Sequence, residues 1–83
     1  MRIAITGGSG GIGRAVVALA LAQGHSAVNI DRAPPPADAP QPGVPFVQID
    51  LADYDALLGA MAGCDALIHL AALPSPEGLP AHV

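Results

Sequence analysis

Lysine and tryptophan are missing from this chain of 83 residues, and other charged or aromatic side chains are scarce. Charged residues make up 12% of the sequence, its only Lys or Arg residues are Arg2, Arg14 and Arg32, and the formal net charge is −4. Nucleic-acid binding needs Lys and Arg clustered against phosphates, so this balance argues against a nucleic-acid partner. A single cysteine, Cys64, excludes an internal disulfide, and one thiol alone makes no metal site.

Long apolar runs are also missing. The longest covers residues 15–22, whereas a membrane-spanning helix needs about 20 apolar residues. This run follows a cluster of glycines rather than a basic leader, which argues against a signal peptide. We therefore expect a cytoplasmic protein that makes no contact with a membrane.

Strand and helix patterns alternate along the chain. Short β-branched and apolar segments predict four strands, at Arg2–Thr6, Ser26–Asp31, Pro45–Asp50 and Asp65–Ala71. Ala- and Leu-rich segments predict helices at Arg14–Gln23 and Asp53–Met61. Six prolines in Arg32–Pro45 predict an irregular loop. This alternation predicts an α/β fold with a partial Rossmann-type parallel sheet of about four strands and flanking helices.

The segment Gly7–Gly13 reads Gly-Gly-Ser-Gly-Gly-Ile-Gly and is the strongest motif. It fits Gly-x-Gly-x-x-Gly from Gly8 and Gly-x-x-Gly-x-x-Gly from Gly7, and the physical meaning is the same. Glycines let the backbone approach a phosphate closely, and the N–H groups at the following helix start favour a pyrophosphate. The preceding strand and following helix supply the context that a dinucleotide-binding turn requires. A Walker-type phosphate loop is excluded because no Lys follows.

Asp31 ends the second predicted strand, about 20 residues beyond the glycine turn, where an acidic residue accepts from the adenosine ribose hydroxyls. Its carboxylate would repel the 2′-phosphate of NADP, so we expect NAD in preference to NADP. Arg32 beside it could pair with a 2′-phosphate or lie along the adenine. Asp50 closes the third predicted strand and could accept from the adenine amino group, although an aspartate that starts a helix would look the same.

Two further side chains invite a functional interpretation. His69 lies inside an apolar run, so we interpret it as a hydrogen-bonded core histidine rather than a catalytic or metal-binding one. Tyr54 lies beside the start of the second predicted helix, and we expect it to be partly buried.

Together these residues resemble the extended short-chain dehydrogenase/reductase superfamily, in particular its NAD-dependent epimerase/dehydratase family. Four segments carry the resemblance in order: Thr6–Gly13, Asp31, Asp50-Leu51, and His69-Leu70-Ala71-Ala72. They span nearly the whole chain. The resemblance implies that the cofactor's pyrophosphate lies against Gly7, Gly10, Gly11, Ile12 and Gly13.

The same resemblance assigns the remaining parts of the cofactor. The adenosine ribose would lie at Asp31 and Arg32. The adenine would lie between Asp50 and Leu51. The ribose on the nicotinamide side would lie over a segment of small side chains, formed by Leu70, Ala71 and Ala72.

Members of that family transfer hydride with a Tyr-x-x-x-Lys pair, in which the Tyr moves the proton. This chain departs from that pattern, because it has no Lys and its one tyrosine is followed four residues on by Leu58. We therefore interpret residues 1–83 as the N-terminal part of an NAD(P)-binding Rossmann domain, with no catalytic residue and with the catalytic and substrate-binding remainder outside it. By itself the chain should be inactive.

The resemblance implies a parent oxidoreductase, epimerase or dehydratase, assembled as a homodimer. Its substrate would be a sugar nucleotide, a sugar acid or a similar carbonyl compound. The alternative is a non-catalytic module that senses dinucleotides, which would keep the glycines and lack the Tyr and Lys pair. A flavin-binding segment is a third reading, which Asp31 and the Thr6-Gly7 register disfavour.

Overall fold

A computed structural model describes residues 1–50 and 52–70 of the chain. It contains four strands, β1 Arg2–Thr6, β2 Ser26–Asp31, β3 Phe46–Gln48 and β4 Ala66–His69. The helices in this part of the chain are α1 Gly11–Ala22 and α2 Tyr54–Ala60. The predicted α/β fold with a partial Rossmann-type sheet is confirmed.

The four strands form one parallel sheet in the order β3-β2-β1-β4. β1 pairs with β2 on one side and with β4 on the other, so that Ile3 lies opposite both Ala27 and Ala66. Successive strands β1, β2 and β3 are added in one direction across the sheet, and β4 is then added on the opposite side of β1. Ligands of open parallel sheets bind beyond the carboxyl ends of the strands at such a reversal, here between β1 and β4.

The alternation of side chains along β1 divides the core into two layers. Ile3 and Ile5 pack with Val17 of α1, whereas Ala4 belongs to the cluster that contains Leu57 of α2. The two helices therefore cover opposite faces of the sheet. Because strands covered on both faces must be apolar throughout, β1 is a near-continuous apolar run rather than an alternating one.

Helix α1 begins earlier than the sequence predicted. It starts at Gly11 rather than Arg14, so three residues assigned to the turn are helical. Glycine density had favoured a turn there, but tertiary contacts at Gly13 override this weak propensity. The helix ends at Ala22, one residue before the predicted end at Gln23, which is its C-cap. Gly24 follows with a φ of 85°, a conformation in which glycine is favoured.

The second half of the sheet is shorter than predicted. β3 covers 46–48 instead of 45–50, and β4 begins at Ala66 rather than Asp65; Ala71, its predicted end, lies outside the described residues. Helix α2 lies within its predicted range, and the carboxylate of its N-cap Asp53 accepts from Ala56 N at 3.1 Å. The expectation that Tyr54 is partly buried is wrong, because it is 76% exposed at the first position of this short helix.

We expect Gly13→Ala to destabilise the fold by about 3 kcal/mol or more, because a Cβ there meets backbone rather than a flexible side chain. It would overlap the carbonyl oxygen of Gly7 and lie 2.7 Å from that residue's carbonyl carbon. The matched control is Gly59→Ala, where a Cβ meets nothing within 4 Å. This helical substitution should stabilise the chain by about 0.5 to 1 kcal/mol. Urea unfolding measures the free energy of unfolding of both variants. Equal changes in that free energy would contradict the packing role of Gly13.

We also expect the 83-residue chain to self-associate. Within the described part of the chain, β4 pairs on one side only, and its Leu67 is 41% exposed. Helix α1 exposes Ile12 and Leu19 at 74% and 58%. Open strand edges and apolar surface promote association. Size-exclusion chromatography should show species larger than a monomer as concentration rises, and a compact monomer at every concentration would contradict this expectation.

Candidate functional site

The glycine turn lies between the carboxyl end of β1 and the start of α1. Gly7 has a φ of 73°, which lets the chain leave the strand and reverse. Its N–H donates to the Ile30 carbonyl of β2 at 2.9 Å, and its own carbonyl accepts from Gly10 N at 3.1 Å. The turn is thus fixed to the sheet on one side and closed on itself on the other.

The glycines of this turn differ in what surrounds them. A Cβ on Gly8 would lie 2.5 Å from Oδ1 of Asn29, and one on Gly13 would overlap Gly7, so the fold itself requires both. A Cβ on Gly10 would have only an ordinary contact, 3.5 Å from the Gly7 oxygen, and one on Gly11 would meet nothing within 4 Å. Packing among the described residues therefore does not require glycine at positions 10 and 11, which border open space.

The start of α1 presents bare amide groups to that space. The first backbone bond into the helix runs from Arg14 N to the carbonyl of Gly10, at 2.8 Å, and Gly10 supplies no capping side chain. Among the described residues, none accepts a hydrogen bond from the N–H groups of Gly11, Ile12 or Gly13. Such N–H groups lie at the positive end of the helix dipole and bind phosphate-like anions.

The carboxylate of Asp31 lies beside the turn at the carboxyl end of β2. Its Oδ2 accepts from Ser9 N at 3.1 Å, and its Oδ1 accepts from Arg32 N at 2.7 Å and more weakly from Ala33 N at 3.4 Å. Three backbone N–H groups therefore fix the orientation of this carboxylate. The structure thus brings Asp31 and the glycine turn together.

Sequence reasoning missed a buried polar network beneath the turn. Asn29 of β2 is fully buried, and its amide nitrogen donates to Ser9 Oγ and to Gln41 Oε1, both at 2.9 Å. Gln41, in the proline-rich loop, donates in turn to the Gly8 carbonyl at 2.7 Å. Asn29 Oδ1 has no partner among the described residues. The available signal was one asparagine between the apolar residues Val28 and Ile30.

His69 and Thr6 connect the carboxyl ends of β4 and β1. The Thr6 hydroxyl and His69 Nδ1 share a hydrogen bond of 2.7 Å, and Leu70 N donates to the same hydroxyl at 3.0 Å. The interpretation of His69 as hydrogen-bonded is confirmed, whereas its assignment to the core is wrong, because the residue is exposed on the described edge of the sheet. Both strand ends border the point where the sheet's connections reverse.

The remaining predicted residues lie at separate places. Arg32 is exposed next to Asp31. Asp50 is also exposed, and its Oδ1 accepts from Ala52 N at 2.9 Å in the turn that precedes α2. It does not start that helix, whose N-cap is Asp53. A contact of Asp50 with adenine stays a prediction. Leu51, Ala71 and Ala72 lie outside the described residues.

Two absences apply to residues 1–50 and 52–70. No three His, Cys, Asp or Glu side chains there come close enough together to hold a metal ion. Neither α1 nor α2 has the length and hydropathy of a membrane span.

Comparisons with known proteins agree with this geometry. The family model "NAD dependent epimerase/dehydratase family" matches residues 3–78. L-arabinose 1-dehydrogenase (NAD(P)(+)) of Haloferax volcanii is 40% identical over 76 residues, which is 92% of this chain and 27% of that protein.

Solved structures give the same result. A short-chain dehydrogenase/reductase superfamily protein of Agrobacterium tumefaciens with bound NAD superposes with a TM-score of 0.72 at 36% identity, over 98% of this chain and 23% of that one. The UDP-glucose 4-epimerase of Thermus thermophilus in complex with NAD gives a TM-score of 0.75 at 33% identity, over 90% and 25%. This chain thus spans about a quarter of the length of these relatives. The match over residues 3–78 and the shared sheet show that the chain belongs to the NAD-dependent epimerase/dehydratase family.

Proposed function

We propose that this chain binds NAD and forms the N-terminal part of the dinucleotide-binding domain of an oxidoreductase, epimerase or dehydratase. The whole protein would act by hydride transfer on a sugar nucleotide, a sugar acid or a similar carbonyl substrate. One observation carries the proposal: the start of α1 presents bare N–H groups beside two glycines, Gly10 and Gly11, that packing among the described residues leaves free of contacts.

The pyrophosphate would lie over the first turn of α1. Its negatively charged oxygens would accept hydrogen bonds from the N–H groups of Gly11 and Ile12, at the positive end of the helix dipole. Gly10 would permit close approach, because it has no side chain to separate the phosphate oxygens from the backbone. Gly7 and Gly13 would contribute indirectly: Gly7 by the conformation of the turn, and Gly13 by the packing of the helix start against it.

The adenosine ribose would lie at Asp31. A carboxylate has about four lone-pair sites. The bonds from Ser9, Arg32 and Ala33 N leave Oδ2 with acceptor capacity for a ribose hydroxyl. A 2′-phosphate in the same place would meet a fixed negative charge, which supports NAD over NADP. The exposed Arg32 would lie along the adenosine, and Asp50 and Leu51 would flank the adenine.

The nicotinamide half would lie at the carboxyl ends of β1 and β4. The hydrogen bond between Thr6 and His69 joins these strand ends, and Leu70 N is bonded to Thr6 from the other strand. We place the ribose on the nicotinamide side against Leu70, Ala71 and Ala72. NAD bound there would supply the hydride acceptor, and this chain's part would be to bind and orient it.

Catalysis would require groups beyond these 83 residues. The sequence contains no Lys. Its one tyrosine, Tyr54, cannot belong to a Tyr-x-x-x-Lys pair, because the fourth residue after it is Leu58. Named relatives include a dehydrogenase and an epimerase, which supports enzymatic chemistry in the whole protein. We therefore propose that the isolated chain binds the dinucleotide without turning over a substrate.

We expect Gly10→Ala to weaken NAD binding by about tenfold or more, since a methyl group there would hold the pyrophosphate away from the amides. The fold should tolerate the change, because Gly10 has a φ of −78° and its Cβ would lie 3.5 Å from the nearest atom. Isothermal titration with NAD gives the affinity, and circular dichroism checks the fold. Gly59→Ala is the control, and a folded Gly10→Ala chain with unchanged affinity would contradict the pyrophosphate placement.

Asp31→Ala should weaken NAD binding by about tenfold, through loss of charge-assisted bonds to the ribose, and should reduce the preference for NAD over NADP. Asp38→Ala is the matched control, because it removes one exposed carboxylate from the loop that follows β2. Parallel titrations with NAD and NADP measure both effects. Wild-type and Asp31→Ala chains that bind the two cofactors equally well would remove Asp31 from the site.

A further inference from the structure

Gln41 occupies a fixed place in the proline-rich loop between β2 and β3. It precedes Pro42-Gly43, and Val44 N donates to its carbonyl at 3.2 Å, while Gly43 has a φ of 78°. Proline followed by a glycine of positive φ, closed by this bond, is the pattern of a type II turn. Pro40 and Pro42 on either side restrict the backbone further. The loop therefore holds the Gln41 backbone in one conformation before any side-chain contact forms.

The side chain of Gln41 uses both ends of its amide. Its Oε1 accepts from Asn29 at 2.9 Å, and its Nε2 donates to the Gly8 carbonyl at 2.7 Å. Asn29 is fully buried in β2, so one end of the Gln41 amide is attached to the sheet. The other end is attached to the glycine turn.

A groove lies beside this part of the loop. A groove of 280 Å³ separates Ala39–Pro42 from α1, where it is lined by Val17, Leu21 and the stem of Arg14 among others. Val44 of the same turn packs against the core cluster that contains Val17. The hydrogen bonds of Gln41 add two polar attachments, which join the loop to the sheet and to the glycine turn.

The Gly8 carbonyl and the Ser9 N–H belong to one peptide group, and this group is held from two sides. Gln41 donates to its oxygen, and its N–H donates to Oδ2 of Asp31 at 3.1 Å. A peptide unit is planar, so fixing the carbonyl also fixes the direction of the N–H. Rotation of this peptide would take the Ser9 N–H away from Asp31.

We propose that Gln41 is a positioning residue for the dinucleotide: it fixes the Gly8–Ser9 peptide and thereby holds the Asp31 carboxylate in the orientation that receives the adenosine ribose. Gln41 does not touch the cofactor. This inference rests on the proposed binding of NAD at the glycine turn, and it adds a determinant of affinity and cofactor choice that lies ten residues from Asp31 in the sequence.

The test compares three variants of the whole chain by titration with NAD and with NADP. Gln41→Ala removes both bonds, and Gln41→Glu keeps an acceptor for Asn29 but loses the donor to Gly8. Gln48→Ala is the matched control, since Gln48 Nε2 donates to the Arg32 carbonyl of the same loop at 3.0 Å and does not contact the turn. We expect both Gln41 variants to weaken NAD binding by about tenfold and to narrow its preference over NADP, with Gln48→Ala close to wild type.

The pH dependence of Gln41→Glu supplies a readout that a general loss of stability would not give. A protonated carboxyl group at position 41 can donate to the Gly8 carbonyl, whereas a carboxylate cannot. The ratio of variant to wild-type affinity should therefore recover as pH falls far enough to protonate that group. Gln41→Ala should show no such recovery.

Folded Gln41 variants with wild-type affinity and cofactor preference would overturn the positioning role while leaving NAD binding intact. If Gln48→Ala weakens NAD binding as much as the Gln41 variants do, the positioning role is also overturned, because general ordering of the loop would then explain the loss of affinity. Loss of circular dichroism in both Gln41 variants would assign the residue to folding instead. A wild-type chain that binds neither dinucleotide would overturn the proposed function and this inference together.

Discussion

The contact between Gly13 and the backbone of Gly7 determines where the first helix starts. No side chain could occupy position 13 at this distance, so α1 begins directly over the end of β1. This close approach directs the bare amides of Gly11 and Ile12 to the carboxyl edge of the sheet. The anion-binding geometry, the position of Asp31 beside it and the reversal of strand order at β1 all depend on that placement.

The glycines of the turn serve two separate purposes. Gly8 and Gly13 lack side chains because neighbouring atoms fill the space, and Gly7 because its φ is positive. Gly10 and Gly11 face no neighbour that requires glycine. The pyrophosphate site that we propose would account for these two glycines, and it would make them the binding part of the motif and the other three its folding part. Beneath the turn, Asn29 Oδ1 is buried without a partner among the described residues, which in typical proteins costs about 1 to 3 kcal/mol.

Local patterns were enough to predict the sheet, because β1 and β2 are apolar runs bounded by glycine and polar residues. The glycine spacing also predicted the turn and its neighbour Asp31. The start of helix α1 at Gly11 could not be predicted from helix propensity, because it depends on the close contact between Gly13 and the Gly7 backbone. The exposure of His69 depends on the sheet edge, and the partnership of Gln41 with Gly8 spans 33 positions. No periodic pattern encodes either of them.

The most direct measurement of the central claim is an amide NMR titration of the isotopically labelled chain with NAD. The largest shift changes should fall on the N–H signals of Gly11 and Ile12, with smaller changes at Ser9 and Asp31. If the chain is folded and these helix-start signals stay unchanged at saturating NAD, or if the changes concentrate elsewhere, the pyrophosphate does not bind at the start of α1.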